Sequence, residues 1–414
     1  MAHFKRALGI GLWFMFLTLP LMALRVNTLN HELEWRWANL FWMGGGAFVL
    51  SWIWQIWIER NQARQALQIE DAPSQEKKRS RLERFTEDRT LSRWGLFAVL
   101  ACAVLFPWLV SSGQNFYHVN IMVSALIFVI LGLGLNITVG LAGLLDLGYI
   151  AFFAVGAYTY ALLSKNFDLG FWACLPLGGI MALLFGVVLG FPILRLRGDY
   201  LAIVTLGFGS ITKIVLENWS DLTKGTAGIA DIPRPALFSW ALDGRHQSIY
   251  LYYIVLALVA LTIFVTLRLK NSRIGRAWMA LREDEIASVA MGVDMARTKL
   301  SAYALGAFWA GLAGVAFAAN NTFINPDSFP FMDSVMVLAM VVLGGMGSIL
   351  GVVIAALTLK LLPEYLRAFA EYRMLAFGAL MVLMMIFRPQ GLVSNLRRKY
   401  EHPRPKSEGK NALK

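Results

Sequence analysis

Twelve apolar stretches, most of them long enough to cross a bilayer, constrain this chain more than any other feature. They lie near 7–24, 37–58, 94–111, 119–139, 149–164, 171–194, 201–218, 249–269, 300–320, 333–345, 348–362 and 373–387. A spanning helix needs about 20 apolar residues, with roughly 17–25 tolerated, and lipid offers no partner to an open backbone group. Membrane-spanning strands would instead alternate in polarity over about ten residues. The chain is therefore predicted to be an all-α polytopic membrane protein of about 10–12 transmembrane or partly spanning helices. Its 57% hydrophobic and 15% charged residues, with a mean hydropathy of +0.58, agree with lipid as the main solvent.

Charge placement predicts the orientation. With the N-terminus inside, the inner stretches carry 28 of the 38 Lys and Arg residues and the outer stretches only eight. That asymmetry places both termini in the cytoplasm. It also accounts for the formal net charge of +12 as membrane topology, with no nucleic-acid partner implied. The N-terminal apolar run behind Lys5 and Arg6 is too long for a signal-peptide core of about 7–15 residues, and it is read as the first membrane helix. The expected organisation is a two-helix membrane extension (1–58), a charged cytoplasmic linker (59–93), a larger membrane domain (94–395) and a basic tail (396–414) too polar to fold. Cys102 and Cys174 both fall within apolar segments, so no disulfide framework is expected.

Some segments cannot be plain spans. The stretch 119–164 is interrupted at "GLAGLLDLG", which holds Gly140, Gly143, Asp146 and Gly148. The stretch 332–362 is too long for one helix, too short for two full ones, and broken at "GGMGS", which holds Gly344, Gly345 and Gly347. Helices break at membrane depth only where protein or a water-filled cavity satisfies the freed backbone, as along a transport pathway. These glycines are the candidate pathway or helix-break residues. The competing reading is packing, because small residues such as Gly186-xxx-Gly190 and Gly347-xxx-Gly351 let helices approach closely.

Much catalytic chemistry is absent. No G-x-x-x-x-G-K-[ST] phosphate loop occurs, nor H-E-x-x-H, nor G-x-S-x-G. The five histidines lie in loops or near ends, and Asp146 is the one acid deep in an apolar region, where it is expected to cap the following helix. No metal, cofactor or catalytic residue is assigned to this chain. Energy for transport must then come from outside it.

One charged stretch, "NSRIGRAWMALREDEIASVAMGVDMARTK" (271–299), interrupts the apolar run. Within it "EDEIASVAMG" reads as a short helix. Glu283, Asp284 and Glu285 suit its N-terminal end, and Gly292 suits its stop. Ala287, Ala290 and Met291 leave a low-profile apolar face. A compact helix tied to two membrane helices can pass on motion by rigid displacement; a plain surface helix is the alternative.

The stretch resembles the cytoplasmic coupling segment of permease subunits in ABC importers of the branched-chain amino acid type. "KLSAYALGAFWAGLAG" (299–314), "GLNITVGLAGLLDLGYIAFFAVGAY" (134–158), "LRLRGDYLAIVTLGFGSI" (194–211), "LTKGTAGI" (222–229), "INPDSFPFMDSVMVLAMVVLGGMGSILG" (324–351) and "FRPQGLV" (387–393) resemble the same family. Their order and spacing are most similar to the larger, M-type permease of the leucine/isoleucine/valine systems. Two positions depart from the family pattern: Ser210 stands where Glu is common, and Lys224 where glycine is usual.

The resemblance implies a related H-type permease partner, two cytoplasmic ATPases carrying ATP and Mg, a periplasmic substrate-binding protein, and a bacterial inner-membrane location. It implies ATPase-coupling roles around Gly275, Arg276, Arg282, Glu283, Asp284, Glu285 and Gly292. The implied substrate is leucine, isoleucine or valine. An ABC permease for urea, amides or other amino acids, an ion-coupled secondary transporter and a membrane scaffold remain open on residues alone.

Overall fold

In this computed structural model the described residues are 24–27, 32–35, 103–108, 117–193, 198–235 and 244–365, with the single positions 196, 378, 382 and 391. The expected segments 7–24, 37–58 and 373–387, the linker 59–93 and the tail 396–414 lie essentially outside them. The chain divides into two compact units, Met1–Ala98 and Val99–Lys414. In the first, β1 (Leu24–Asn27) and β2 (Glu32–Trp35) pair antiparallel with Leu24 opposite Trp35, a small hairpin where only a connecting loop was expected.

The second unit is helical. Its long elements are α1 (Tyr117–Leu135), which runs into a π-helical turn over Asn136–Leu141; α2 (Ile150–Phe167); α3 (Phe171–Ile193); and α4 (Asp199–Asn218). Then come α5 (Gly244–Lys270), α6 (Arg273–Glu283), α7 (Glu285–Ala290), α8 (Met295–Asn321), α9 (Phe331–Gly344) and α10 (Ile349–Tyr365). Every apolar segment predicted between 119 and 362 is a helix. Six stretches in the described residues are long and apolar enough to cross a membrane.

α1 and α8 are the centre of this unit: 83% of each apolar window is buried, against 22% for α4, whose Tyr200, Ile203, Ile211 and Ile214 face outward. The core closes where small residues let backbones touch. A Cβ on Gly156 of α2 would strike the backbone of Gly311 in α8, and one on Gly178 of α3 would strike Val315. Without a hydrophobic force between helices in lipid, such close approach supplies the packing energy. Aromatic pairs add to it, with Phe152 edge-on to Tyr303 at 5.6 Å and Phe153 against Phe317 and Phe329 at 5.0 and 5.4 Å. Each contributes about 0.5–1.5 kcal/mol beyond area burial.

The stretch 332–362 divides into α9 and α10 at its glycine break. The α-helical part of α9 has 14 residues, which at about 1.5 Å per residue falls short of a hydrocarbon core of roughly 30 Å. Counting the preceding 3₁₀ turn gives the longer apolar stretch Pro326–Gly344. α4, by contrast, is a continuous helix of 20 residues and long enough to span.

The two departures from the family pattern also find places. Ser210 bonds within its own helix, to the Leu206 carbonyl at 3.2 Å. Lys224 ends a single helical turn with φ of 63°, the left-handed conformation that glycine adopts without cost.

Candidate functional site

The segment 271–299 folds as two helices followed by the start of α8: α6, which packs on α8 through Trp278, and α7, whose side chains are mostly exposed. Sequence anticipated only the second, over 283–292, and the structure trims it to Glu285–Ala290. Ser272 caps α6 by accepting from Gly275 N at 3.1 Å. A Cβ at Gly275 would strike the Leu269 carbonyl, so glycine there allows the tight turn from α5 into α6. Trp278, fully buried, donates its indole N–H to Thr298 O at 3.0 Å and Ser301 Oγ at 3.1 Å, pinning α6 on α8.

α7 is capped by Asp284, whose carboxylate accepts from Ile286 N and Ala287 N at 2.8 and 3.0 Å. Glu285 turns inward and pairs with the buried Lys299 of α8 at 2.5 Å. Gly292, with φ of 85°, lets the chain leave α7 and enter α8, whose cap is Asp294. What α7 presents outward is more prominent than the alanine face expected: Ile286 is 73% exposed and Met291 85%, with Val289 beside them. Arg276 and Glu283 are exposed on the same segment. The predicted set thus divides. Arg276, Glu283 and Gly292 lie on the outer surface, whereas Gly275, Asp284 and Glu285 build the segment itself.

Arg282 does something else. Its guanidinium donates to the carbonyl of Gly140, in the π-helical turn that ends α1, and its stem lies on Gly143, where a Cβ would meet Arg282 Cγ at 2.8 Å. The π turn leads into the break foreseen at "GLAGLLDLG", which lies between Leu141 and the start of α2 at Ile150. Extra turns of this kind free backbone groups that a neighbouring side chain can take up.

The second break closes on the first. Asn136 Oδ1, fully buried, accepts from Gly347 N at 2.8 Å, and Lys270 Nζ donates to Gly347 O at 2.9 Å. A Cβ on Gly140 would strike Asn136 Oδ1 and lie 2.6 Å from Gly347 N, so that glycine keeps the two breaks in contact. Gly344 meets Gly351 in the same way, its added Cβ lying 2.6 Å from the Gly351 carbonyl carbon. Gly345 takes φ of 101°, and Ser348 opens α10 by accepting from Gly351 N at 3.2 Å. The structure therefore brings Arg282, Gly140, Gly143 and Gly347 together with two residues sequence reasoning did not single out, Asn136 and Lys270.

Asp146 does not cap α2. Its Oδ1 accepts from Gly148 N at 2.9 Å, two residues before the helix starts, and the first helical N–H, that of Ile150, is taken by Ser334 Oγ of α9 at 3.1 Å. Asp146 is fully buried, with the Tyr303 hydroxyl of α8 as its side-chain neighbour. Gly148 packs on α4, where a Cβ would strike the Thr205 carbonyl, while Leu147 N bonds Thr205 Oγ1 at 3.0 Å. No group of three or more His, Cys, Asp or Glu is gathered as a metal would require among the described residues.

A family profile described as branched-chain amino acid transport system / permease component matches residues 117–387. The chain is 50% identical over 322 residues to the high-affinity branched-chain amino acid transport system permease protein LivM of Escherichia coli, covering 73% of this chain and 75% of that protein. It is 48% identical to LivM of Salmonella typhimurium, covering 77% and 78%. To the high-affinity branched-chain amino acid transport system permease protein LivH of Escherichia coli it is 26% identical, over 64% of this chain and 91% of that one. No solved structure matches the chain.

Proposed function

This chain belongs to the family of branched-chain amino acid transport system permease components and is a multi-pass inner-membrane protein, and from that premise we propose that it forms one transmembrane half of an ATP-driven importer of leucine, isoleucine and valine. It pairs with an H-type permease. Two cytoplasmic ATPases, which hold the ATP and Mg, grip the α6–α7 segment, and a binding protein delivers substrate at the opposite face. The chain burns no nucleotide itself.

In this scheme the α7 face of Ile286, Val289 and Met291 enters a cleft on an ATPase, since exposed apolar patches of this kind mark partner surfaces. Closure of the ATPases displaces α6 and α7 as one body, because Trp278 and the Glu285–Lys299 pair tie them to α8. Arg282 carries that displacement to Gly140, and Asn136 carries it on to Gly347. The halves then rock between inward- and outward-facing states around the two breaks. Both termini, on this reading, are cytoplasmic. Residues 94–395 form the permease domain, preceded by a two-helix extension and the 59–93 linker and followed by the basic tail.

The observation that supports this most is the bond from Arg282 to the π turn, because it joins the segment a motor could push to the place where a pathway could open. Reconstitution tests it. Proteoliposomes with both permeases, the ATPases and the binding protein should take up labelled leucine on ATP addition. Uptake driven by an ion gradient with the ATPases left out would overturn the proposal.

A further inference from the structure

Lys270 has no part in the route from Arg282 through Gly140 and Asn136 to Gly347, yet it reaches the same junction from another side. It is the last residue of α5, immediately ahead of the coupling segment. Arg268, two residues earlier, is exposed and lies over the Phe264 ring of its own helix at 5.6 Å, as a long cationic side chain commonly does at a membrane surface. Lys270 turns inward instead. Its Nζ donates to the buried carbonyl of Gly347, 77 residues along the chain, at 2.9 Å.

The turn that carries Lys270 is braced. Ser272 Oγ donates to Leu269 O at 2.7 Å and accepts from Gly275 N at 3.1 Å, and the Arg276 guanidinium donates to Asn271 O at 3.1 Å. Lys270 therefore moves with α6. Arg282 sits at the other end of that helix, whose 11 residues extend about 16 Å at 1.5 Å per residue. α6 thus holds one break from each end, Gly347 through Lys270 and Gly140 through Arg282. Asn136 completes the circuit, because it belongs to the same π turn as Gly140 and its Oδ1 accepts from Gly347 N. A tilt of α6 displaces its two ends unequally and shears one break against the other, and the Asn136–Gly347 bond is where they part. The closed junction is only half satisfied: Asn136 Nδ2 is buried with no hydrogen-bond partner among the described residues, and opening would give that donor one.

We propose that Lys270 is a second positioning residue for transport, and that with Arg282 it makes the two breaks an inner gate, shut in this structure and parted by a tilt of α6. The inference rests on the reading of 271–299 as the segment that the ATPases move, and adds to it a direct grip on the second break. Without Lys270, α6 pulls on Gly140 alone; the second break then follows the first through Asn136, and the gate stays shut.

The test uses the complete transporter in proteoliposomes. Lys270→Met keeps the aliphatic stem and loses the donor, so leucine taken up per ATP hydrolysed should fall about tenfold or more, the effect of losing a hydrogen bond from a charged group. Lys270→Arg keeps a donor and should recover most of it. A lysine needed only for folding would lower uptake and hydrolysis together and leave their ratio alone. Gate movement is read separately, with Lys270 intact, on Met346→Cys, an exposed position within the second break, in a background of Cys102→Ala and Cys174→Ala. A non-hydrolysable ATP analogue should change its rate of reaction with a thiol reagent several-fold, and adding Lys270→Met should abolish that change. An unchanged ratio for Lys270→Met, or reaction at Met346→Cys indifferent to the analogue, overturns the gate. If the wild-type transporter still imports leucine on ATP in that case, the gate alone falls; if it imports none, the proposed function falls and the gate with it.

Discussion

Replacing Arg282 by Met removes the guanidinium and keeps most of the aliphatic stem that covers Gly143. The bond lost is charge-assisted, runs to a backbone carbonyl of the π turn and is partly buried. Hydrogen bonds to charged groups contribute about 1.5–3 kcal/mol, and partial exposure places this one toward the lower end, about 1.5–2 kcal/mol. If that bond transmits displacement from α6 to the break, its loss removes a similar share of the coupling free energy, typically about 1–3 kcal/mol between linked sites. At about 1.4 kcal/mol per factor of ten, leucine uptake should fall roughly 10- to 30-fold. ATP hydrolysis should persist, because α7 still engages the ATPases. Proteoliposomes assayed in parallel for labelled leucine and released phosphate give uptake per ATP. Arg282→Lys, which restores a donor, should recover part of it. An unchanged ratio for Arg282→Met, in complexes that assemble normally, would refute the transmission route.

Other substitutions separate the roles within the site. Glu283→Lys, at an exposed position, should cut ATP-driven uptake with assembly intact, whereas Glu285→Lys sets a second cation against buried Lys299 and should lower the yield and melting temperature of the complex, read by fluorescence-detected size exclusion. Trp278→Phe loses the one indole N–H shared by Thr298 O and Ser301 Oγ, about 0.5–1.5 kcal/mol, and should lower the melting temperature by a few degrees in the same assay. Asp146→Asn keeps an oxygen for Gly148 N and a polar partner for the Tyr303 hydroxyl, so it should leave ATP-driven uptake near wild type; a folded variant without uptake would show that the carboxylate takes part in transport.

Much of the fold was legible because lipid makes length and hydropathy decisive. Each apolar segment from 119 to 362 became a helix within a few residues of its expected ends, and the break at Gly344–Ser348 lies where glycines cluster. Local chemistry was legible too, with Asp284 at an N-cap and Gly292 at positive φ. The rest depends on contacts across the chain. Arg282 and Gly140 are 142 residues apart, and Asn136 and Gly347 are 211 apart, so nothing in their neighbourhoods names the partner. Asp146 was misread for the same reason: a serine on α9 supplies the donor's partner that a local rule assigned to the aspartate. Trp278 was not singled out, although a tryptophan among charges at helical spacing is a signal for an anchored face. The β1–β2 hairpin was missed because four-residue strands, "LRVN" and "ELEW", carry too little alternation to stand out between two long apolar runs.

The central claim is that work enters this permease through α7 on the cytoplasmic face. The direct measurement is reactivity of Met291→Cys, the most exposed apolar position of that segment, toward a membrane-impermeant thiol reagent. In inverted vesicles the residue should react from the cytoplasmic side, be shielded when the ATPases bind and cross-link to them. Reaction from the periplasmic side, or reaction unaffected by the ATPases, would contradict the account.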